Sequence, residues 1–337
     1  MKIGVIGAGS WGTALASLLV EGKDSVVLWA FEGEVATSIN QNHRNSLYLA
    51  EAPLPKNLKA SSVLKEVVEG SSVLVNVVPS HLARGVWERA APFVDPDALI
   101  VNASKGFEFS TGKRLSEVLT AVLPTIPKGH FVTLSGPTFA KEVLHHQPST
   151  AVIAGIDNKV METIQKLFRR DWFLTYLNHD VVGVEVGGAV KNVIAIAAGI
   201  CEGMGLGLNT RAALITRGLY EMAKLGKALG ANVVTFAGLS GIGDLILTCT
   251  GELSRNRSVG LRLGKGEKLD TILKETKSIA EGIKSAKVVY ELIQKHKINN
   301  PVCVEIYRML YESKLSTQAL KDLLALNLKE EMGGLLK

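Results

Sequence analysis

Seven short apolar runs occupy the first half of the chain and limit its fold more than any other feature. They read KIGVIGAG, SVVLWA, SVLVNVVPS, ALIVNASKG, HFVTLSGPT, TAVIAG and WFLTYLN. A strand with one face in water alternates apolar and polar residues, whereas continuous apolar runs are typical of strands that are buried on both faces. Helical patterns lie between the runs, so we predict an α/β fold with a doubly wound, mostly parallel sheet.

The sequence pattern changes near residues 178–183. Long helical periods follow, in which apolar residues recur every three or four positions, and strand-like runs almost disappear. We therefore predict two domains, residues 1–181 around the sheet and residues 182–337 as an all-helical domain. The length of 337 residues suits two domains.

Composition narrows the class of function. The chain is 47% hydrophobic and carries a net charge of +6, but its cations are dispersed and only 6% of residues are aromatic, so we expect no nucleic-acid partner. Lys191 and Glu202 interrupt the longest apolar stretch, so we expect no membrane span. Three separated cysteines in apolar segments are typical of a reduced, cytoplasmic protein. No His, Cys and carboxylate cluster has metal-ligand spacing, so we expect no metal.

A glycine motif lies between the first strand-like run and a helical pattern. Gly7, Gly9 and Gly12 form G-x-G-x-x-G, in which the first glycine allows a tight turn, the second leaves room for a pyrophosphate and the third allows close packing. The N–H groups at the helix start can then bind phosphate, and Ser10 and Trp11 at the tip should contact the cofactor. The alternative is a glycine-rich turn without a ligand.

An acidic residue follows the second strand-like run. Glu32 lies about twenty residues after the glycines, where an acid would bind a ribose 2′-hydroxyl and repel a 2′-phosphate. This position favours NAD over NADP. The alternative is that Glu32 and Glu34 are both solvated turn residues.

Two further runs end in polar residues. Lys105 follows ALIVNAS, and Gly136 and Thr138 follow HFVTLS. The carboxyl ends of parallel strands face the ligand crevice, so we predict that Lys105 is a charged donor near the reactive end of the cofactor. The alternative is a solvated loop lysine.

A lysine interrupts the apolar helical stretch EVGGAVKNVIAIAAGICEGMG. Burying the ammonium of Lys191 is costly unless it is paired or its charge is useful. Helical side chains lean over the preceding turn, so Gly187 and Gly188 would leave a notch for a ligand beside it. We predict that Lys191 donates and accepts a proton. The alternative is a structural lysine that pairs with Glu185.

Helix starts in the second half bring polar groups together. Asp244 lies in the first turn of one helix, and Ser254 is the expected N-cap of the next, which begins with Arg255 and Asn256. Helix N–H groups, a guanidinium and an amide there predict a phosphate site. Glu281 begins another helix, where a glutamate can serve a ligand or only complement the helix dipole.

The motifs GAGSWGTALA, NASKGFE, LSGPTFAKEV, VGGAVKNVIAIAAGI, GLNTRAALITRGL, LSGIGDLILTCTG, SRNRSVG and AEGIKSA resemble, in order, those of the bacterial NAD(P)-dependent glycerol-3-phosphate dehydrogenase family. The resemblance covers nearly the whole chain. It implies an amino-terminal Rossmann domain, a helical domain of the 6-phosphogluconate-dehydrogenase type, and reversible NAD(P)H-dependent reduction of dihydroxyacetone phosphate to sn-glycerol 3-phosphate for phospholipid synthesis. The protein is a possible homodimer.

The resemblance also implies residue roles. Lys191 becomes the proton donor and acceptor. The residues implied to bind substrate are Lys105, Gly136, Thr138, Lys191, Asp244, Ser254, Arg255 and Asn256. The residues implied to bind the dinucleotide are Gly7, Gly9, Ser10, Trp11, Gly12, Phe31, Lys105, Ala140, Arg255, Ile279 and Glu281. One departure stands out, because members that use NADPH often carry a basic residue where this chain has Phe31 or Glu32.

Two other functions compete with this interpretation. One is a related dehydrogenase that acts on a 3-hydroxy acid or an acyl-CoA, which the Ser254, Arg255 and Asn256 cluster disfavours because it suits a small phosphate monoester. The other is a dinucleotide-binding sensor or scaffold without turnover, in which Lys191 is structural.

Overall fold

The structure is a computed structural model that describes residues 1–22, 24–275, 280–326 and 331. The chain divides into two compact units. Unit 1 comprises Met1–Glu108 and Lys113–Val181, and unit 2 comprises Phe109–Gly112 and Val182–Lys337.

Unit 1 is built on one eight-stranded sheet in the order β3-β2-β1-β4-β5-β6-β7-β8. Neighbouring strands are parallel except for the antiparallel pair β6 and β7, which confirms the predicted mostly parallel sheet. All seven apolar runs form strands, and the short, half-polar β3 was not predicted. The strands are β1 (Lys2–Ile6), β2 (Ser25–Trp29), β3 (Lys59–Ser61), β4 (Val73–Asn76), β5 (Leu99–Asn102), β6 (Phe131–Ser135), β7 (Ser149–Ala154) and β8 (Phe173–Asn178).

Helices cover both faces of this sheet. Alternate residues of one strand enter different cores: Val5 packs in a cluster with α1, α2, α6 and α7, and its neighbour Ile6 packs in a cluster with α3, α4 and α5. Two-sided burial explains why the strands are continuously apolar. The helices are α1 (Ser10–Val20), α2 (Gly33–Asn42), α3 (Leu64–Val68), α4 (Ala83–Ala90), α5 (Leu115–Val122), α6 (Ala140–Leu144) and α7 (Asn158–Phe168).

All the secondary-structure elements among the described residues of unit 2 are helical, as predicted, and loops and turns connect them. A short 3₁₀ helix at Val233–Ala237 and a short π-helix at Leu239–Gly243 lie between α9 and α10. The helices are α8 (Val181–Gly203), α9 (Leu208–Ala228), α10 (Asp244–Thr250), α11 (Arg255–Gly264), α12 (Leu269–Glu275), α13 (Glu281–His296), α14 (Pro301–Tyr311) and α15 (Ser316–Leu324). Among the described helices, α8 alone has the length and hydropathy of a membrane span, and 89% of its apolar window is buried inside the protein, as in a core helix.

A buried carboxylate joins α9 to the start of α14. Glu221 accepts hydrogen bonds from the backbone N–H groups of Val302 at 2.8 Å and Cys303 at 2.9 Å. Desolvation outweighs these bonds and raises the pKa of Glu221 from 4.5 to about 7. The folded protein therefore binds this proton more tightly than the unfolded chain does.

This shift predicts a pH-dependent stability. Because the pKa of Glu221 is raised in the folded state, its contribution to the free energy of unfolding is fully present below pH 4.5 and is lost as the pH rises through about 7. Between pH 4.5 and 8, we expect the free energy of unfolding to fall by about 3 kcal/mol less in Glu221→Gln than in wild type. Urea unfolding of both proteins across that range measures it, and parallel pH profiles would contradict the assignment.

Candidate active site

The glycine turn of unit 1 has the geometry of a phosphate cradle. Gly7 has a φ of +119°, and a Cβ on Gly12 would clash with the Gly7 carbonyl oxygen, so the turn and the close packing both require glycine. Gly9 is the N-cap of α1 without a side-chain cap, and a Cβ built there meets no atom within 4 Å. Open backbone at an uncapped helix start fits the pyrophosphate of a dinucleotide.

Two hydrogen bonds hold the tip of this turn. Ser10 donates from Oγ to the carbonyl oxygen of Tyr48 at 2.9 Å, and Trp11 donates from Nε1 to that of Ala103 at 3.2 Å. The tip is thereby attached to the segment after α2 and to the end of β5. The contacts of Ser10 and Trp11 with a dinucleotide stay predictions.

The acid after β2 has a protein partner. Glu32 is half-buried as the N-cap residue of α2, and its Oε1 accepts a hydrogen bond from the Tyr48 hydroxyl at 2.9 Å. Burial, aided by this carboxylate, raises the pKa of Tyr48 to about 12. Glu32 is therefore not a solvated turn residue, whereas Glu34 is exposed, and Phe31 is 73% exposed. Sequence reasoning missed Tyr48, because nothing local relates an irregular segment to a residue 16 positions earlier.

The polar residues after β5 and β6 come together. The carbonyl oxygen of Gly136 accepts hydrogen bonds from Lys105 Nζ at 2.9 Å and from Thr138 Oγ1 at 3.3 Å. Lys105 is half-buried, so it is not a solvated loop lysine. Lys105, Gly136 and Thr138 follow the carboxyl ends of β5 and β6, as predicted, and Ala140 begins α6 just beyond.

Lys191 is buried in unit 2 against a carboxylate. Its ammonium, in a residue only 6% exposed, donates to Asp244 Oδ1 at 2.6 Å and to Thr248 Oγ1 at 2.8 Å. The Thr248 hydroxyl in turn donates to the carbonyl oxygen of Asp244 at 2.6 Å. Asp244 and Thr248 are four residues apart on α10, so they share a face. That spacing could have identified Thr248 from the sequence.

The prediction of an open ligand notch beside Lys191 is wrong at Gly187. A Cβ on Gly187 would clash with the carbonyl oxygen of Ser240 in the turn before α10. Gly187 therefore allows this turn to approach α8, and the same approach places Asp244 beside Lys191. The glycine serves the lysine through helix packing rather than through an open cavity.

The residues of the predicted phosphate site lie at the start of α11, as expected, and phosphate binding there stays a prediction. Ser254 is the N-cap and accepts a hydrogen bond at Oγ from Arg257 N at 3.2 Å, while Arg255 is exposed at the first helical position. Asn256 is buried and donates to Asn192 Oδ1 at 2.9 Å. These bonds place the helix start beside the residue that follows Lys191.

The amide of Asn256 also joins a third helix. Its Oδ1 accepts a hydrogen bond from Gly282 N at 2.9 Å, one residue after Glu281 at the start of α13. Sequence reasoning missed Asn192, the other partner of this amide. The substrate contacts of Ser254, Arg255 and Asn256 and the cofactor contact of Glu281 stay predictions, and Ile279 lies outside the described residues. Among the described residues, no group of three or more His, Cys, Asp and Glu side chains could hold a metal.

The sequence matches two profiles of one family. The profile of the NAD-dependent glycerol-3-phosphate dehydrogenase N-terminus covers residues 2–161, and the profile of its C-terminus covers residues 180–321. Together they span both units. The glycine turn of unit 1 falls within the first profile, and the buried lysine of unit 2 falls within the second.

Full-length relatives agree with these matches. The chain is 48% identical to a glycerol-3-phosphate dehydrogenase [NAD(P)+] of Geobacter metallireducens over 98% of its own length and 99% of the relative. The crystal structure of a glycerol-3-phosphate dehydrogenase from Coxiella burnetii has a TM-score of 0.92 at 37% identity, covering 96% of this chain and 99% of that one. The Saccharomyces cerevisiae enzyme has a TM-score of 0.81 at 28% identity, covering 97% and 99%.

Proposed function

The chain belongs to the NAD-dependent glycerol-3-phosphate dehydrogenase family and is an NAD(P)-dependent oxidoreductase, and from this premise we propose that it reversibly reduces dihydroxyacetone phosphate to sn-glycerol 3-phosphate. The observation that carries the proposal is the buried Lys191 and Asp244 pair beside the start of α11. It combines a proton donor with a phosphate site in one unit. The product would supply phospholipid synthesis in the cytoplasm, where the three free cysteines stay reduced.

The two units have different roles in this proposal. Residues 1–181 bind the dinucleotide at the Gly7, Gly9 and Gly12 turn, and residues 182–337 bind and protonate the substrate. The bound dinucleotide supplies hydride chemistry. Lys105, Gly136 and Thr138 act as substrate contacts of the first unit.

Lys191 acts on the carbonyl oxygen of the substrate. Negative charge grows on this oxygen during reduction, so a nearby ammonium stabilises it and delivers the proton that completes the hydroxyl group. Asp244 and Thr248 hold the ammonium in place. In the reverse direction the same nitrogen accepts the proton.

The start of α11 binds the other end of the substrate. Arg255 and the N–H groups of the first turn offer charge-assisted hydrogen bonds to a phosphate. Holding this end fixes which face of the carbonyl is presented for reduction.

Alternative substrates provide the test of this assignment. We expect kcat/KM for dihydroxyacetone phosphate to exceed that for 3-oxo acids and 3-oxoacyl-CoA thioesters by at least about 100-fold, because only the phosphate monoester suits the α11 site. A higher kcat/KM for either competitor would favour the related dehydrogenase. Dinucleotide binding without turnover of any of these substrates would indicate a sensor.

Glu32 should favour NADH over NADPH. Tyr48 holds this carboxylate near the end of β2, where it can accept a hydrogen bond from a ribose 2′-hydroxyl and repels a 2′-phosphate. A repulsion of about 1.4 kcal/mol is tenfold in affinity. We expect Glu32→Arg to shift the ratio of kcat/KM for the two cofactors toward NADPH by about tenfold or more.

Glu34→Arg is the matched control for this change. It reverses an exposed charge in the first turn of the same helix, two residues away, and should leave the ratio nearly unchanged. A wild-type preference for NADPH, or equal shifts in both variants, would contradict the role of Glu32.

A further inference from the structure

We propose that the ion pair between Glu202 and Arg257 is a positioning element for the phosphate end of the substrate. The inference rests on the proposed function and deepens it. Arg257 lies two residues after Arg255 on α11, and Glu202 lies in the last turn of α8, the helix that carries Lys191. The pair therefore connects the helix that binds phosphate to the helix that carries the proton donor.

The geometry of the pair is that of a rigid fork. Arg257 donates from Nε to Glu202 Oε2 at 2.9 Å and from Nη2 to Oε1 at 2.6 Å. The Arg257 side chain is only 12% exposed, and Arg211 of α9 adds a third contact to the carboxylate at 3.2 Å. Two parallel bonds from a planar guanidinium fix direction as well as distance.

Helix stability does not explain these two charges. Glu202 is an anion at the carboxyl end of α8, and Arg257 is a cation in the first turn of α11, so each opposes the dipole of its own helix. The pair is also partly buried, so the cost of removing both charges from water offsets much of its contribution to folding. Attachment of the two helices to each other does explain the pair.

Glycines bring α8 and α11 into close contact. A Cβ on Gly199 or Gly203 would clash with the carbonyl oxygen of Arg257 or Leu261, respectively. Reciprocally, a Cβ on Gly260 or Gly264 would clash with that of Ile196 or Ile200. Ile196 lies against Gly260, and Ile200, four residues later, lies against Gly264, also four residues later. The two helices therefore run side by side in the same direction.

Two side-chain links connect these packed helices. The Asn192 and Asn256 bond lies next to Lys191 and Arg255, and the fork attaches the following residue of α11, Arg257, to Glu202 at the far end of α8. Because these two neighbouring residues of α11 are held by different parts of α8, the first turn of α11 cannot rotate about its own axis without breaking one of the links. The fork thus determines where the first turn of α11 presents Arg255 relative to Lys191.

Substrates with and without phosphate separate this role from a general structural one. Arg257→Lys keeps the charge but removes the fork, and Glu202→Gln removes the anion at nearly constant volume. Arg262→Lys is the matched control, because Arg262 lies at the far end of α11 and pairs with Glu267 and Glu275. We expect both test variants to lose about tenfold or more in kcat/KM for dihydroxyacetone phosphate, while kcat/KM for dihydroxyacetone stays within about twofold.

A readout without turnover accompanies the kinetics. Glycerol 3-phosphate should raise the Tm of Arg257→Lys and Glu202→Gln less than that of wild type or Arg262→Lys, whereas the dinucleotide should raise all four Tm values equally. Equal losses on both substrates, unchanged kinetics, or failure of both variants to fold would overturn the proposal. If wild type does not reduce dihydroxyacetone phosphate, the proposed function fails. If wild type reduces it and the variants match Arg262→Lys, only the positioning role fails.

Discussion

Lys191→Ala is expected to lower kcat by at least about 100-fold, the usual scale for losing a general acid, while dinucleotide binding stays nearly unchanged. The ammonium is the group that Asp244 and Thr248 hold in the buried site of unit 2, and alanine offers no proton. Steady-state kinetics with dihydroxyacetone phosphate and a fluorescence titration with reduced dinucleotide measure the two quantities separately.

Lys191→Ala needs a control for the unpaired charge of Asp244. Removing Lys191 leaves the carboxylate of Asp244, which is 1% exposed, without its cation, and breaking a buried pair costs about 3–5 kcal/mol of stability. Lys191→Ala combined with Asp244→Asn removes both charges and should be more stable but equally inactive. Near-normal turnover in either variant would contradict the assignment of the proton donor.

Arg255→Ala is expected to raise KM for dihydroxyacetone phosphate about tenfold or more, since a charge-assisted hydrogen bond of about 1.5–3 kcal/mol is lost. Arg255 stands at the first position of α11, where the helix N–H groups also favour an anion. KM from initial rates measures the effect. Arg262→Ala removes a guanidinium at the other end of the same helix and should leave KM unchanged; an unchanged KM in Arg255→Ala would place the phosphate site elsewhere.

Local patterns predicted the parts of the structure that short segments determine. Continuous apolar runs indicated a sheet with two covered faces, because burial on both sides removes the polar alternation. The glycine motif indicated the turn before α1, and Ser254 indicated the start of α11, because backbone conformation and capping depend on neighbouring residues.

Contacts between distant segments were not predictable in this way. Tyr48 reaches Glu32 from an irregular segment, and Gly187 packs against a carbonyl 53 residues later. The pairing of Glu202 with Arg257 spans 55 residues. Each depends on how helices pack, so the sequence indicated a special glycine or an isolated charge but not its partner.

The most direct test of the central claim mixes the purified protein with reduced dinucleotide and dihydroxyacetone phosphate and follows the nicotinamide absorbance while glycerol 3-phosphate is quantified. The account predicts loss of absorbance that depends on dihydroxyacetone phosphate, with one glycerol 3-phosphate formed for each nicotinamide oxidised. Absence of this product with both NADH and NADPH would contradict it.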